Sequence, residues 1–134
     1  MTNPRILVAT LTSRKKDYCF LPFWSRINNL SYPEYDLMVS DNSEDSKYKE
    51  YLKRFFPNVR HVARNKPMPF TEVLCKSHNQ IRDFFLNGNY DFLLHIESDV
   101  IPPSNVIESL LHHRKVVVSA AYFHGIGENS WVLS

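Results

Sequence analysis

The residues in this chain best suited to chemistry are Glu97, Ser98 and Asp99, set in the run YDFLLHIESDVIPPSNVIESLL between Tyr90 and Leu111. Strand alternation sends Glu97 and Asp99 to one side and Ser98 to the other. Two carboxylates so spaced suit a hard divalent cation, which takes oxygen ligands. A cation held by Asp99 could bridge a diphosphate and neutralise the charge that develops when it leaves. Two further clusters, Thr10 to Arg14 and Asp41-Asn42-Ser43, carry polar groups of the right type to join them. Asp41 can accept a hydrogen bond from a base N–H, Thr10 can bond to a base or ribose edge, and Glu97 can accept from ribose hydroxyls. Plainer readings exist: acids that mark a strand's exit into solvent, and an Asp-Asn-Ser turn that caps a helix. Capping and ligand binding are compatible.

The elements that must position these groups alternate in type. Phe92-Leu93-Leu94-His95-Ile96 reads as a strand buried on both faces of a parallel sheet, ending at the acidic turn. Arg5 to Thr12 is the first strand, Tyr35 to Ser40 the second, Asn58 to Ala63 a shorter third, and Lys115 to Phe123 the fifth. Phe20, Phe23, Trp24, Ile27 and Leu30 recur at helical spacing, which predicts a helix from about Leu21 to Asn29 with Pro22 in its first turn. A helix over Glu44 to Phe56 presents Tyr48, Tyr51, Leu52 and Phe55 on one face. The prolines of Arg64 to Pro69 make a loop. A long helix from Phe70 ends near Asn87 with a stop at Gly88. The last helix starts around Pro103 or Ser104, where Asn105 and Glu108 could form a capping box, and buries Val106, Ile107, Leu110 and Leu111. This order predicts an α/β fold: an open, mostly parallel sheet with helices on both faces. The carboxyl ends of its strands then share one edge, where ligands of such sheets bind.

Composition narrows the function. At 134 residues, 43% hydrophobic and 22% charged, the chain reads as one ordered globular domain. A net charge of +2, with no stripe of basic and aromatic residues, points away from nucleic acid. Apolar runs fall short of a membrane span, the N-terminus lacks a signal-peptide layout, and Cys19 and Cys75 form no close pair, so a reduced, cytoplasmic setting is expected. The only glycines are Gly88, Gly125 and Gly127, which leaves neither a G-x-G-x-x-G nor a Walker-type loop.

With these pieces in order, the chain resembles the nucleotide-binding half of a GT-A glycosyltransferase, most of all the large family-2 type, a Rossmann-like fold. The likeness runs from residue 5 to about 123 through ILVATLTSR, YDLMVSDNSEDS, SHNQIRDFF, FLLHIESDVIPPSNVIESLL and KVVVSAAYF, with Glu97-Ser98-Asp99 in the place of that fold's D-x-D motif. It implies a UDP- or GDP-sugar donor, Mn2+ or Mg2+, and transfer to a hydroxyl of a glycan, lipid or protein, with inversion at the sugar. By position Asp41 would meet the base with Thr10 and Asn42 nearby, and Glu97 would meet the ribose beside Ser98. Asp99, with Glu97, would hold the metal, and Asn79 and Arg82 would lie on a helix that sends polar groups toward the donor. Arg82 suits a surface ion pair equally well. Glu97 departs from the usual first aspartate. The family continues past the fifth strand, so residues 1–134 are expected to be a single nucleotide-sugar-binding domain lacking the acceptor-binding part, and no catalytic base is assigned.

Two competing classes follow from the same residues. One is a non-catalytic nucleotide or nucleotide-sugar-binding module, or an inactive truncated transferase. The other, a nucleotidyltransferase, needs a glycine-rich basic loop after the first strand, which TLTSRKKD lacks. Among the histidines, His112 and His113 read as a solvated helix end and His95 as a satisfied core residue. His124 is the one worth testing as an acceptor-side or phosphate contact.

Overall fold

Ile6–Thr12 forms β1, with every residue buried. Ile6 and Val8 pack into one core with Phe20, Phe23, Ile27, Leu52 and Ile107, and Leu7, Ala9 and Leu11 pack into another with Met38 and Ile81. A strand covered on both faces has no solvent side, so its sequence shows no alternation of apolar and polar residues. In this computed structural model, residues 2–121 and the backbone of 123–125 and 131–133 are described.

β1 pairs in parallel with β2 (Tyr35–Asp41) on one side and β4 (Phe92–His95) on the other, and β3 (Asn58–His61) joins the free side of β2. The order is β3-β2-β1-β4, all parallel. Thr12 stands opposite Asp41, Asp41 opposite His61, and Ala9 opposite His95, so the strands finish along one edge. Helices α1 (Asp17–Ile27), α2 (Lys47–Leu52) and α4 (Val106–His112) cover one face, and α3 (Phe70–Asn87) covers the other. The predicted α/β architecture is the one observed. Phe20, Phe23 and Trp24 of α1 pack in the core, while Tyr18 is exposed: Phe20 meets Phe55 edge-on at 5.0 Å between ring centres, and Trp24 lies 5.3 Å from Phe56.

Several local expectations are corrected. α1 starts four residues earlier than its apolar spacing suggested, preceded by a 3-10 turn at Arg14–Lys16, so Pro22 sits inside the helix and not in its first turn. Burial of Phe20, Phe23 and Ile27 on one stripe outweighs the single hydrogen bond that a proline removes. The predicted capping box at α4 does not form. Asn105 makes no side-chain cap, and Glu108 accepts a hydrogen bond from Ser31 Oγ at 2.8 Å. Gly88 ends α3 in an extended conformation and not a left-handed one. It is required by space: a Cβ there would lie 2.4 and 2.6 Å from the ring of Tyr90.

The largest correction concerns the sheet's far side. β4 was expected to be buried on both faces, yet it is the edge strand, with Phe92 and Leu93 exposed. The predicted fifth strand is not one over 115–121, where Val116 and Val117 are 94% and 85% exposed. Phe123–Gly125 (β5) instead pairs antiparallel with Trp131–Leu133 (β6) in a separate two-stranded sheet. A β-rich sequence forms a strand only where a partner edge is reached, and here residues 115–121 line an apolar cavity of about 960 Å³ beside β4 and α4. Among the described residues, no helix is long and apolar enough to cross a membrane.

Candidate functional site

The carboxyl edge is tied together by backbone bonds that continue the sheet. Asn42 N donates to Thr12 O at 2.8 Å, Val62 N to Asp41 O at 3.0 Å, and Ile96 N to Ala9 O at 3.0 Å. The loops after β1, β2, β3 and β4 thereby leave the sheet side by side, although they are up to about eighty residues apart in sequence.

Asp41 lies at the centre of a hydrogen-bond network along this edge. It is fully buried and continues the face of Leu37 and Val39. Its Oδ1 accepts from Ser43 N at 3.0 Å and Ser43 Oγ at 2.6 Å, and its Oδ2 faces His61 Nδ1 at 2.8 Å. Ser43 Oγ in turn accepts from Arg14 N at 2.9 Å, fixing the β1 loop against the β2 loop. On the opposite face, Ser40 Oγ donates to Gln80 Oε1 at 2.8 Å, and Gln80 Nε2 donates to the His61 carbonyl at 2.9 Å. Arg64 Nη2 donates to the Asn42 carbonyl, while its Nε is buried with no partner. The Asp-Asn-Ser turn is therefore a structural hinge-pin between strands, and a base that reached Asp41 would have to share oxygens already bonded within the fold.

The acidic turn has a different character. Glu97 and Asp99 are exposed and Ser98 is buried. Asp99 forms an ion pair with Lys16, the last residue of the 3-10 turn after β1, with the two side chains 37% and 40% exposed. The Asp99 carboxylate holds the Lys16 ammonium pKa above its usual value. The Cys19 thiol donates to both loops, to the Lys16 carbonyl at 3.2 Å and the Ser98 carbonyl at 3.5 Å.

The other expected residues fall as follows. Thr10 is buried, with its hydroxyl bonded to the Leu11 carbonyl at 3.2 Å. Arg82 holds Asp83 at the surface through two hydrogen bonds to Oδ1, and Asn79 is exposed on α3. His95 is not satisfied: it stacks on His78 with ring centres 5.1 Å apart, and its Nε2 is buried without a partner. Burial, and then the neighbouring His78, pushes its pKa down against an opposing pull from Glu97. The side chain of His124 lies outside the described residues.

A divalent cation such as Mg2+ is usually held by one or two carboxylates together with substrate phosphates and several waters, and less often by an all-protein cage. Among the described residues, no three His, Cys, Asp or Glu side chains come together to form such a cage. Asp99, the expected ligand, is already neutralised by an ammonium. As arranged, Asp99 is open to a divalent cation only if Lys16 releases it.

His61, Lys16, Gln80 and Arg64 were not singled out from sequence. The signal for Lys16 was present as a basic run, Arg14-Lys15-Lys16, directly after β1. It becomes meaningful only when β1 and β4 are known to be neighbours.

The strand order, the covered faces and the shared edge define an open, parallel α/β fold of the Rossmann-like kind. Two crystal structures of S. aureus TarS have it. In the first, the match covers 94% of this chain and 23% of that one, at 13% identity and a TM-score of 0.57. In the second, TarS 1-349, it covers 81% and 31%, at 17% identity and a TM-score of 0.55. This chain thus spans less than a third of either TarS chain. No protein-family model matches the sequence, and no curated protein matches it.

Proposed function

We propose that this chain is the nucleotide-sugar-binding part of a GT-A glycosyltransferase of the family-2 type. Its donor is a UDP- or GDP-sugar, and its acceptor is a hydroxyl. The observation that carries this reading is the shared edge: the basic turn Arg14–Lys16 and the acidic turn Glu97–Asp99 face each other where β1 and β4 end, on a glycosyltransferase-like fold. Such an edge is where open α/β sheets take nucleotides.

In the proposed reaction the bond from the anomeric carbon to the diphosphate oxygen breaks, and a bond to the acceptor oxygen forms. The nucleoside diphosphate leaves with the bonding electron pair, and the acceptor hydroxyl gives its proton to solvent or to the departing diphosphate. Glu97, exposed beside Ser98, is the group available to accept from ribose hydroxyls. The Asn42 and Ser43 turn, held by Asp41 and His61, forms the wall nearest the base.

Calorimetric titration of UDP and then GDP tests the donor site, followed by hydrolysis of the matching sugar nucleotides without acceptor. Binding of one nucleotide together with slow hydrolysis is expected. Binding with no turnover under any acceptor would assign recognition without transfer. No binding of either would sink the reading.

A further inference from the structure

We propose that Lys16 supplies the positive charge that faces the donor diphosphate, in place of a resident divalent cation, and that Asp99 holds it ready until the donor arrives. This rests on the nucleotide-sugar reading above and specifies how the site handles charge.

The placement of Lys16 follows from the topology. β1 and β4 are parallel neighbours, so the turn after one lies against the turn after the other. Lys16 ends the first turn and Asp99 sits in the second, and their side chains meet as an ion pair. The backbone on both sides is held: Lys16 N donates to Ser13 O at 2.8 Å, and the Cys19 thiol bonds to the carbonyls of Lys16 and Ser98. What is free to move is the lysine side chain itself, on a flexible four-carbon stem.

The exposure of the pair matters. At 40% and 37% exposed, Lys16 and Asp99 are reachable by a ligand and are neither locked in a core nor fully solvated. A buried pair could not exchange partners without leaving a charge stranded. This one can: the ammonium turns from one carboxylate to a phosphate oxygen, a charge-assisted contact of the same kind. Among the described residues, Arg14 and Lys15 form no ion pair, so the turn still carries two cations beyond the one that Asp99 compensates. The dianionic or more highly charged diphosphate meets this turn, and a divalent cation would have to compete with Lys16 for Asp99.

The test is calorimetric titration of UDP and GDP into the wild-type chain, Lys16→Met and Lys16→Arg, each in EDTA and again with excess Mn2+. Wild-type affinity is expected to be the same in both buffers. Lys16→Met should bind roughly tenfold or more weakly in EDTA, the scale of one charge-assisted contact. Mn2+ should restore much of the loss, because Asp99 is then unpaired. Lys16→Arg should retain metal-free binding, which separates charge from an effect on folding. Wild-type binding that requires Mn2+, or metal-free binding unchanged in Lys16→Met, overturns the role of Lys16 and leaves the donor site standing. Absence of nucleotide binding in every buffer overturns the donor site, and this inference with it.

Discussion

Asp41 and His61 are register partners on adjacent parallel strands, and their side chains meet at 2.8 Å between Oδ2 and Nδ1. The carboxylate is fully buried and the imidazole nearly so, with side-chain exposures of 0% and 10%. Paired residues on neighbouring strands share a face, so the contact is a direct product of the β2–β3 register. Asp41→Ala should destabilise the fold by about 2–4 kcal/mol, because it strands Ser43 and His61 without their acceptor. Asp41→Asn should cost less. Its Oδ1 can still accept from Ser43, and its amide can donate to His61 Nδ1 in the other tautomer. Urea unfolding of the two variants checks the order, and equal losses would contradict it.

Gly88 predicts a steric coupling with Tyr90. A methyl group at Gly88 would drive the Tyr90 ring away, and that ring donates its hydroxyl to Asp36 Oδ2 at 2.9 Å and carries Arg5 on its face at 4.8 Å. Gly88→Ala should cost about 1–3 kcal/mol, the range for overpacking. The backbone there is extended, which any residue adopts, so the cost should largely vanish in a Tyr90→Ala background. A double-mutant cycle with no coupling would rule out the clash as the cause.

Stability should fall with acidification through His95. Its pKa is depressed in the folded chain by burial and by His78, below the ordinary 6.5. The unfolded chain then binds more protons between the two values, so stability is intact above about 6.5 and is lost as pH drops from there toward the depressed value. Replacing His95 with Leu removes both the titration and a buried nitrogen without a partner. Its unfolding free energy should be flatter than wild type between about pH 7.5 and 5.5. An unchanged slope would assign the dependence to other groups.

Residues 115–121 offer a direct test of the missing fifth strand. Val117 is 85% exposed, so Val117→Asp should change stability by no more than about 0.5 kcal/mol. Leu52, fully buried in the larger core, should cost about 2–5 kcal/mol as Leu52→Ala. A large loss at Val117 would mean that this segment packs as a strand in solution.

Much of the site was legible because strand ends announce themselves. ILVATLT, YDLMVSD and FLLH are apolar runs that stop at polar residues, and that punctuation alone placed Thr10, Asp41 and Glu97–Asp99 near the same edge. What polar side chains do there was not legible. Asp41, expected to contact a base, is bonded within the fold to Ser43 and His61. Asp99 reads as a metal ligand and is paired with Lys16. Hydrogen-bond partners across strands depend on register, and register is a property of two segments at once.

By itself, the sequence determined the alternation of strands and helices, the parallel sheet, and the α3 and α1 core stripes, because periodic burial is written locally in residue type. Only the tertiary structure decided that β4 is an edge, that residues 115–121 stay out of the sheet, and that Lys16 reaches Asp99. Each of those depends on which segments become neighbours. That choice is made by the summed packing of the whole chain, which no local pattern contains.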